Sequence, residues 1–193
     1  RLAVPQVGDT VCVIGLGLLG LLAAQIARAA GCQVFGVDIA ENRIHLAEQL
    51  GFTASPTSTA LEQMPGLTRG LGFDHVLICA DTRSDETVQL AGQIARDRGN
   101  VIAIGAVGFD LPRKVYYEKE LTFKVSRSYG PGRYDPLYEE KGIDYPAGFV
   151  RWTEGRNLQA FVDLLEKKLV QVQPLITHRF PIDQAPQAYD LIT

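Results

Sequence analysis

Residues 13–31 read VIGLGLLGLLAAQIARAAG, with glycines at 15, 17 and 20 set between strand formers and helix formers. Each glycine answers a different demand. Gly15 permits a tight turn out of the strand, Gly17 leaves the backbone bare for a close-lying pyrophosphate, and Gly20 lets the helix approach the strand. The helix that starts at Leu18 and Leu19 then turns unpaired N–H groups and a partial positive charge toward the phosphates. An acid, Asp38, closes the next apolar run, 23 positions after Gly15. A carboxylate there accepts hydrogen bonds from an adenosine ribose and repels a 2′-phosphate, which favours NAD over NADP. Arg43, on the following helix, either reaches the same ribose or lies solvated. Leucine follows Gly20 where a triphosphate-binding loop would carry lysine. A methyltransferase also uses a glycine-rich turn, but Cys12, Val13 and Ile14 stand where its acidic opening would be.

These residues need elements to hold them, and the chain alternates strand and helix. Strands are predicted over 9–15, 32–38, 52–54, 73–80 and 100–105, with helices over 18–30, 41–51, 60–68 and 85–96. Near-continuous apolar strands separated by helices imply an α/β fold, a doubly wound Rossmann sheet that is parallel and covered by helices on both faces. Ligands on such sheets lie across the carboxyl ends of the strands. Cys79, Ala80 and Thr82, after the fourth strand, and Ile104, Gly105 and Ala106, after the fifth, are therefore further cofactor-lining candidates. The plainer alternatives are that Thr82 and Asp85 cap the next helix and that Gly105 ends a strand.

Beyond Gly105 the rhythm changes. Residues 119–128 read as a sixth strand. A Gly-, Pro- and Tyr-rich loop over 129–152 follows, then a helix over 156–169 with Leu158, Phe161, Leu165 and Leu169 on one stripe. PLITHRFP is predicted as a short strand and QAPQAYDLI as a last helix.

Composition narrows the class. At 46% hydrophobic the chain can bury an ordinary core, and a net charge of −3 argues against a nucleic-acid partner. The longest apolar run, Val11 to Ala24, falls short of the roughly 20 residues a bilayer span needs. Cys12, Cys32 and Cys79 lie in apolar strands without C-x-x-C spacing, which reads as free buried thiols in a reducing, cytoplasmic setting. His45, His75 and His178 have no second ligand at metal spacing, so structural or exposed roles are expected for them. There is no G-x-S-x-G elbow, and Lys119 follows Tyr116 and Tyr117 at three and two positions, not the four of a Tyr-x-x-x-Lys pair.

The stretch VCVIGLGLLGLLAAQIARAAGCQVFGVD resembles the cofactor-binding domain of medium-chain dehydrogenases, the zinc alcohol dehydrogenase family, and so does the tail PLITHRFPIDQAPQAYDLI. The loop SRSYGPGRYDPLYEEKGIDYP is similar to that of a bacterial subgroup fused to a second, Gfo/Idh-like oxidoreductase unit. The resemblance implies that Gly15, Gly17, Leu18, Leu19 and Gly20 meet the pyrophosphate, that Asp38 and Arg43 meet the adenosine ribose, and that Ser128 and Tyr129 lie near the nicotinamide. It implies hydride transfer between NAD and a small alcohol or carbonyl substrate. It implies too that the LTFKVSRS stretch of the sixth strand is a candidate edge for a homodimer, although an exposed edge is more often just protected. It also places zinc and the proton relay in a GroES-like catalytic domain that residues 1–193 do not match, so no catalytic or metal residue carries over. On this reading the chain, opening on Arg1 with Met64 as its one methionine, is a fragment of a longer protein, a single NAD-binding domain that binds without turning over. Two alternatives stand beside it: a non-catalytic NAD-binding or redox-sensing module, and a zinc-independent, quinone-reductase-like enzyme.

Overall fold

A computed structural model describes residues 1–192. Its centre is a parallel six-stranded sheet in the order β3-β2-β1-β4-β5-β6. The strands are β1 (Thr10–Ile14), β2 (Gln33–Asp38), β3 (Thr53–Pro56), β4 (Phe73–Ile78), β5 (Ala95–Ala103) and β6 (Thr122–Val125). The helices between them are α1 (Leu18–Ala29), α2 (Glu41–Gln49), α3 (Ala60–Thr68), α4 (Glu86–Ile94) and α5 (Arg113–Glu118). After the sheet come α6 (Pro136–Glu139), α7 (Glu154–Glu166) and α8 (Ala185–Ile192). No helix among the described residues is long and apolar enough to cross a membrane.

Strand parity divides the core. Side chains alternate along β1, so Val11 and Val13 pack with Leu21, Ala24 and Ala27 of α1 and Ile44 and Ala47 of α2. Cys12 and Ile14 face the other way and pack with Ala60 of α3 and Val88, Ala91 and Ile94 of α4. Two apolar faces and two layers of helices make the fold doubly wound, as the strand–helix alternation predicts. The order reverses between β1 and β4, the switch point at which such sheets open a crevice.

The second half departs from expectation in particular places. β5 begins at Ala95, directly after α4, and not at Asn100. Ala95 pairs with Phe73 and Asn100 with His75, so residues 96–99 bulge out of the ladder, with Arg98 at φ +58°. The strand predicted over 119–128 contracts to β6 at the sheet's edge. PLITHRFP forms no strand; Gln173–Leu175 is a single 3-10 turn and the rest runs exposed. Pro174 and Pro181 supply no N–H to a ladder, which removes two donors from a short candidate strand. α7 forms, but its stripe does not enter the core: Leu158 and Leu169 are exposed, and Phe161 and Leu165 are half-buried.

α5, which no periodicity announced, delivers a lysine to the end of α4. The Lys119 ammonium donates to the carbonyls of Gly92 (3.0 Å), Gln93 (2.7 Å) and Ala95 (2.7 Å), which the end of the helix leaves without intrahelical donors. Lys119→Met keeps the stem and deletes all three bonds. It is expected to destabilise the chain by about 2 kcal/mol, the scale of hydrogen bonds to a charged group. A urea unfolding midpoint identical to that of the native chain would show that the three bonds contribute nothing net.

Candidate functional site

The chain leaves β1 at Ile14 and turns at once toward α1. Gly15 takes φ +93°, and a Cβ there would stand 2.6 Å from the Ala80 backbone nitrogen. Both facts require glycine. At Gly20 a Cβ would lie 1.8 Å from the Gly15 carbonyl oxygen, so the first turn of α1 rests on the turn that precedes it. Gly17 differs from Gly15 and Gly20: beyond its two chain neighbours, no described atom lies within 4 Å of its Cβ position. Its bareness serves no packing within the chain and leaves open space against the backbone.

Gly17 is also the N-cap of α1. No side chain caps the helix there, its first turn holds no acid, and the first helical bond runs from the Leu21 amide to the Gly17 carbonyl at 2.9 Å. Donors of the leading turn thus face that open space without side-chain partners. Leu18 and Leu19 are exposed beside them.

Asp38 ends β2 next to this turn and is 3% exposed. Its Oδ2 accepts from the Leu16 amide at 2.6 Å, and its Oδ1 accepts from the Ala40 amide at 2.9 Å. Arg43, 54% exposed on α2, brings Nη1 to 3.6 Å from Oδ2. A carboxylate has about four lone-pair sites, so acceptor capacity remains after the two backbone bonds.

The ends of β4 and β5 complete the rim. A Cβ on Gly105 would stand 1.9 Å from the Ala80 carbonyl oxygen, and the Thr82 amide donates to the Ala106 carbonyl at 2.9 Å. Gly15, Cys79, Ala80, Ile104, Gly105 and Ala106 are thereby gathered along the carboxyl ends of three adjacent strands. Asp85 does not cap α4 with its side chain; its Oδ1 accepts from the Asp110 amide and ties down the segment after β5. Ser128 and Tyr129 follow β6 at the far end of the same edge, Ser128 at φ +44° and Tyr129 exposed under the Arg133 guanidinium. Burial pushes the Cys79 thiol up to about 12, so it stays a neutral wall group at physiological pH and not a nucleophile.

A family model described as zinc-binding dehydrogenase matches residues 19–141, well over half of the chain. The chain belongs to the zinc-binding dehydrogenase family. Among curated relatives it is 28% identical over 193 residues to L-threonine 3-dehydrogenase of Bacillus subtilis strain 168. It is 28% identical over 191 residues to D-xylulose reductase of Scheffersomyces stipitis. Each alignment takes in 96% of this chain and 48% of the relative, so the chain spans about half the length of the curated relatives it matches. Among solved structures, 2R,3R-butanediol dehydrogenase from Bacillus subtilis superposes with a TM-score of 0.74 at 20% identity, over 99% of this chain and 49% of that one. The shared fold is the Rossmann sheet described above.

The described residues of this zinc-binding dehydrogenase chain hold no ligand set for a zinc ion. No group of three or more His, Cys, Asp or Glu that would hold a metal occurs among the described residues. His75 is buried between Asp9 Oδ2 (2.9 Å from Nε2) and Asn100 (Nδ2 3.3 Å from Nδ1), His45 is exposed beside Glu48, and His178 stacks on Phe180.

One contributor to the site is a position that the motif leaves unspecified. Leu16 supplies the amide that Asp38 holds, and its side chain fills the space beside Gly36, where a Cβ would stand 2.6 Å from Leu16 Cδ2. The trace of this in the sequence is a glycine in the middle of the apolar strand CQVFGVD.

Proposed function

We propose that this chain is the NAD-binding half of an oxidoreductase that moves hydride between a nicotinamide cofactor and a small alcohol, polyol or matching carbonyl. The observation that carries the reading is Gly17, bare toward open space while Gly15 and Gly20 are packed by backbone. The donors of the leading turn of α1 suit a pyrophosphate, and the remaining acceptor capacity of Asp38 suits the adenosine ribose hydroxyls, with Arg43 alongside. Cys79, Ala80, Ile104, Gly105 and Ala106 would line the crevice between β1 and β5, with Ser128 and Tyr129 toward its nicotinamide end. When bound, NAD supplies the hydride chemistry, while the chain supplies orientation, a fixed field and exclusion of water. The substrate, the zinc and the proton relay belong on this reading to the remainder of a longer protein. The threonine and xylulose enzymes among its relatives point to hydroxyl-bearing substrates.

Titration with NADH and with NADPH, followed by nicotinamide fluorescence, tests the reading. NADH is expected to bind at least tenfold more tightly, about 1.4 kcal/mol, because a 2′-phosphate would approach the buried Asp38 carboxylate. A specific observation favours the competing cofactor: Arg43 is exposed and stands beside the same position. Equal or tighter NADPH binding would transfer the reading to that arginine and to the zinc-independent, quinone-reductase-like alternative.

A further inference from the structure

We infer that Asp38 is a positioning residue for the pyrophosphate as well as a partner for the ribose: its buried carboxylate clasps the Leu16 and Ala40 amides and so holds the glycine turn in its binding shape. This rests on the nucleotide reading above. The geometry separates the two roles. The bonds to Leu16 (2.6 Å) and Ala40 (2.9 Å) exist in the chain by itself, with both carboxylate oxygens engaged. Leu16 lies between Gly15 and Gly17, so the amide held by Asp38 is inside the turn itself. Ala40 is the residue from which α2 starts, so one side chain ties the β1–α1 turn to the β2–α2 turn. The Leu16 side chain, buried against Gly36, fixes the same residue from its other end. Among short side chains only a carboxylate offers a separate acceptor oxygen to each of two backbone N–H groups. Asparagine offers one oxygen and turns an NH2 donor toward the second amide.

The clasp has a consequence that a ribose contact alone does not. Asp38→Asn should weaken a ligand that carries the pyrophosphate but no ribose hydroxyls. The measurement is calorimetric titration of the native chain and of Asp38→Asn with ADP and with 2′,3′-dideoxyadenosine 5′-diphosphate. Asp38→Asn is expected to lower affinity for the dideoxy nucleotide about tenfold, with a further loss for ADP. Hydrogen exchange gives the second readout: the Leu16 or the Ala40 amide should lose protection in Asp38→Asn while Val11 and Val13 of β1 keep theirs, showing that the variant is folded.

A penalty seen with ADP and absent with the dideoxy nucleotide would confine Asp38 to the ribose and overturn the positioning role. Dideoxy nucleotide that fails to bind the native chain, with ADP still bound, would place the affinity on the ribose hydroxyls and overturn it equally. Failure of the native chain to bind either ADP or NADH would instead sink the nucleotide reading, and the positioning role with it.

Discussion

Gly20→Ala is expected to cost the chain its fold. The added methyl carbon would lie 1.8 Å from the Gly15 carbonyl oxygen and 3.4 Å from Val13 Cγ1. The first neighbour is backbone at a turn that already sits at φ +93°, and the second is a core side chain of β1. Neither gives way cheaply, so α1 must move off the sheet. Its buried face, Leu21, Ala24 and Ala27, would leave the core with it. An overpacked contact of this kind belongs with the substitutions that exceed about 4 kcal/mol, a large share of the roughly 5–15 kcal/mol that holds a domain together. Urea unfolding followed by circular dichroism should show a shallow or lost transition. Gly66→Ala is the control: apart from its chain neighbours and its own helix backbone, no described atom lies within 4 Å of its Cβ position in α3, and alanine in a helix interior should be neutral or stabilise by up to about 1 kcal/mol. A cooperative Gly20→Ala transition at the native midpoint would refute the close approach of α1 to its turn.

That contrast also shows what could be read before the fold was known. The glycine spacing, the strand before it and the acid 23 positions on carry local information, and β1, α1 and β2 appear where those residues put them. Parity along β1 carries the two-faced core in the same way. What escaped depends on partners distant in sequence. β5 starts at Ala95 only because Phe73 stands across from it, and the bulge over 96–99 is tied by the Arg98 amide to the Lys119 carbonyl. α5 is short and has no buried residue, so no periodicity marks it; its worth lies in Lys119 and in the Tyr116 hydroxyl, which donates to the Val88 carbonyl. The loop over 129–152 looks structureless by composition, yet Tyr138 accepts from the Gly155 amide at the start of α7 and stacks on Tyr145. Asp38 was legible as an acid at the end of a strand. Its hold on Leu16 was not, because the partner is a backbone amide that any residue but proline would supply.

Gly17→Val separates folding from binding at the opposite extreme. Gly17 has φ −69° and ψ −169°, an extended conformation that valine adopts readily, and beyond its chain neighbours no described atom lies within 4 Å of its Cβ position. The variant should therefore unfold within about 1 kcal/mol of the native chain, since its Cβ enters open space. On the nucleotide reading those atoms occupy the space where the pyrophosphate lies against the leading N–H groups of α1. Affinity for NADH and for ADP is then expected to fall about a hundredfold or more, a loss of about 2.7 kcal/mol. Adenosine, which has no phosphate to displace, should bind both chains with the same weak affinity. NADH bound by a folded Gly17→Val chain as tightly as by the native one would mean that the phosphates lie elsewhere. The open space beside the second glycine would then have to be explained without a ligand. A loss confined to the phosphorylated ligands would locate the pyrophosphate at a backbone position whose only qualification is the absence of a side chain.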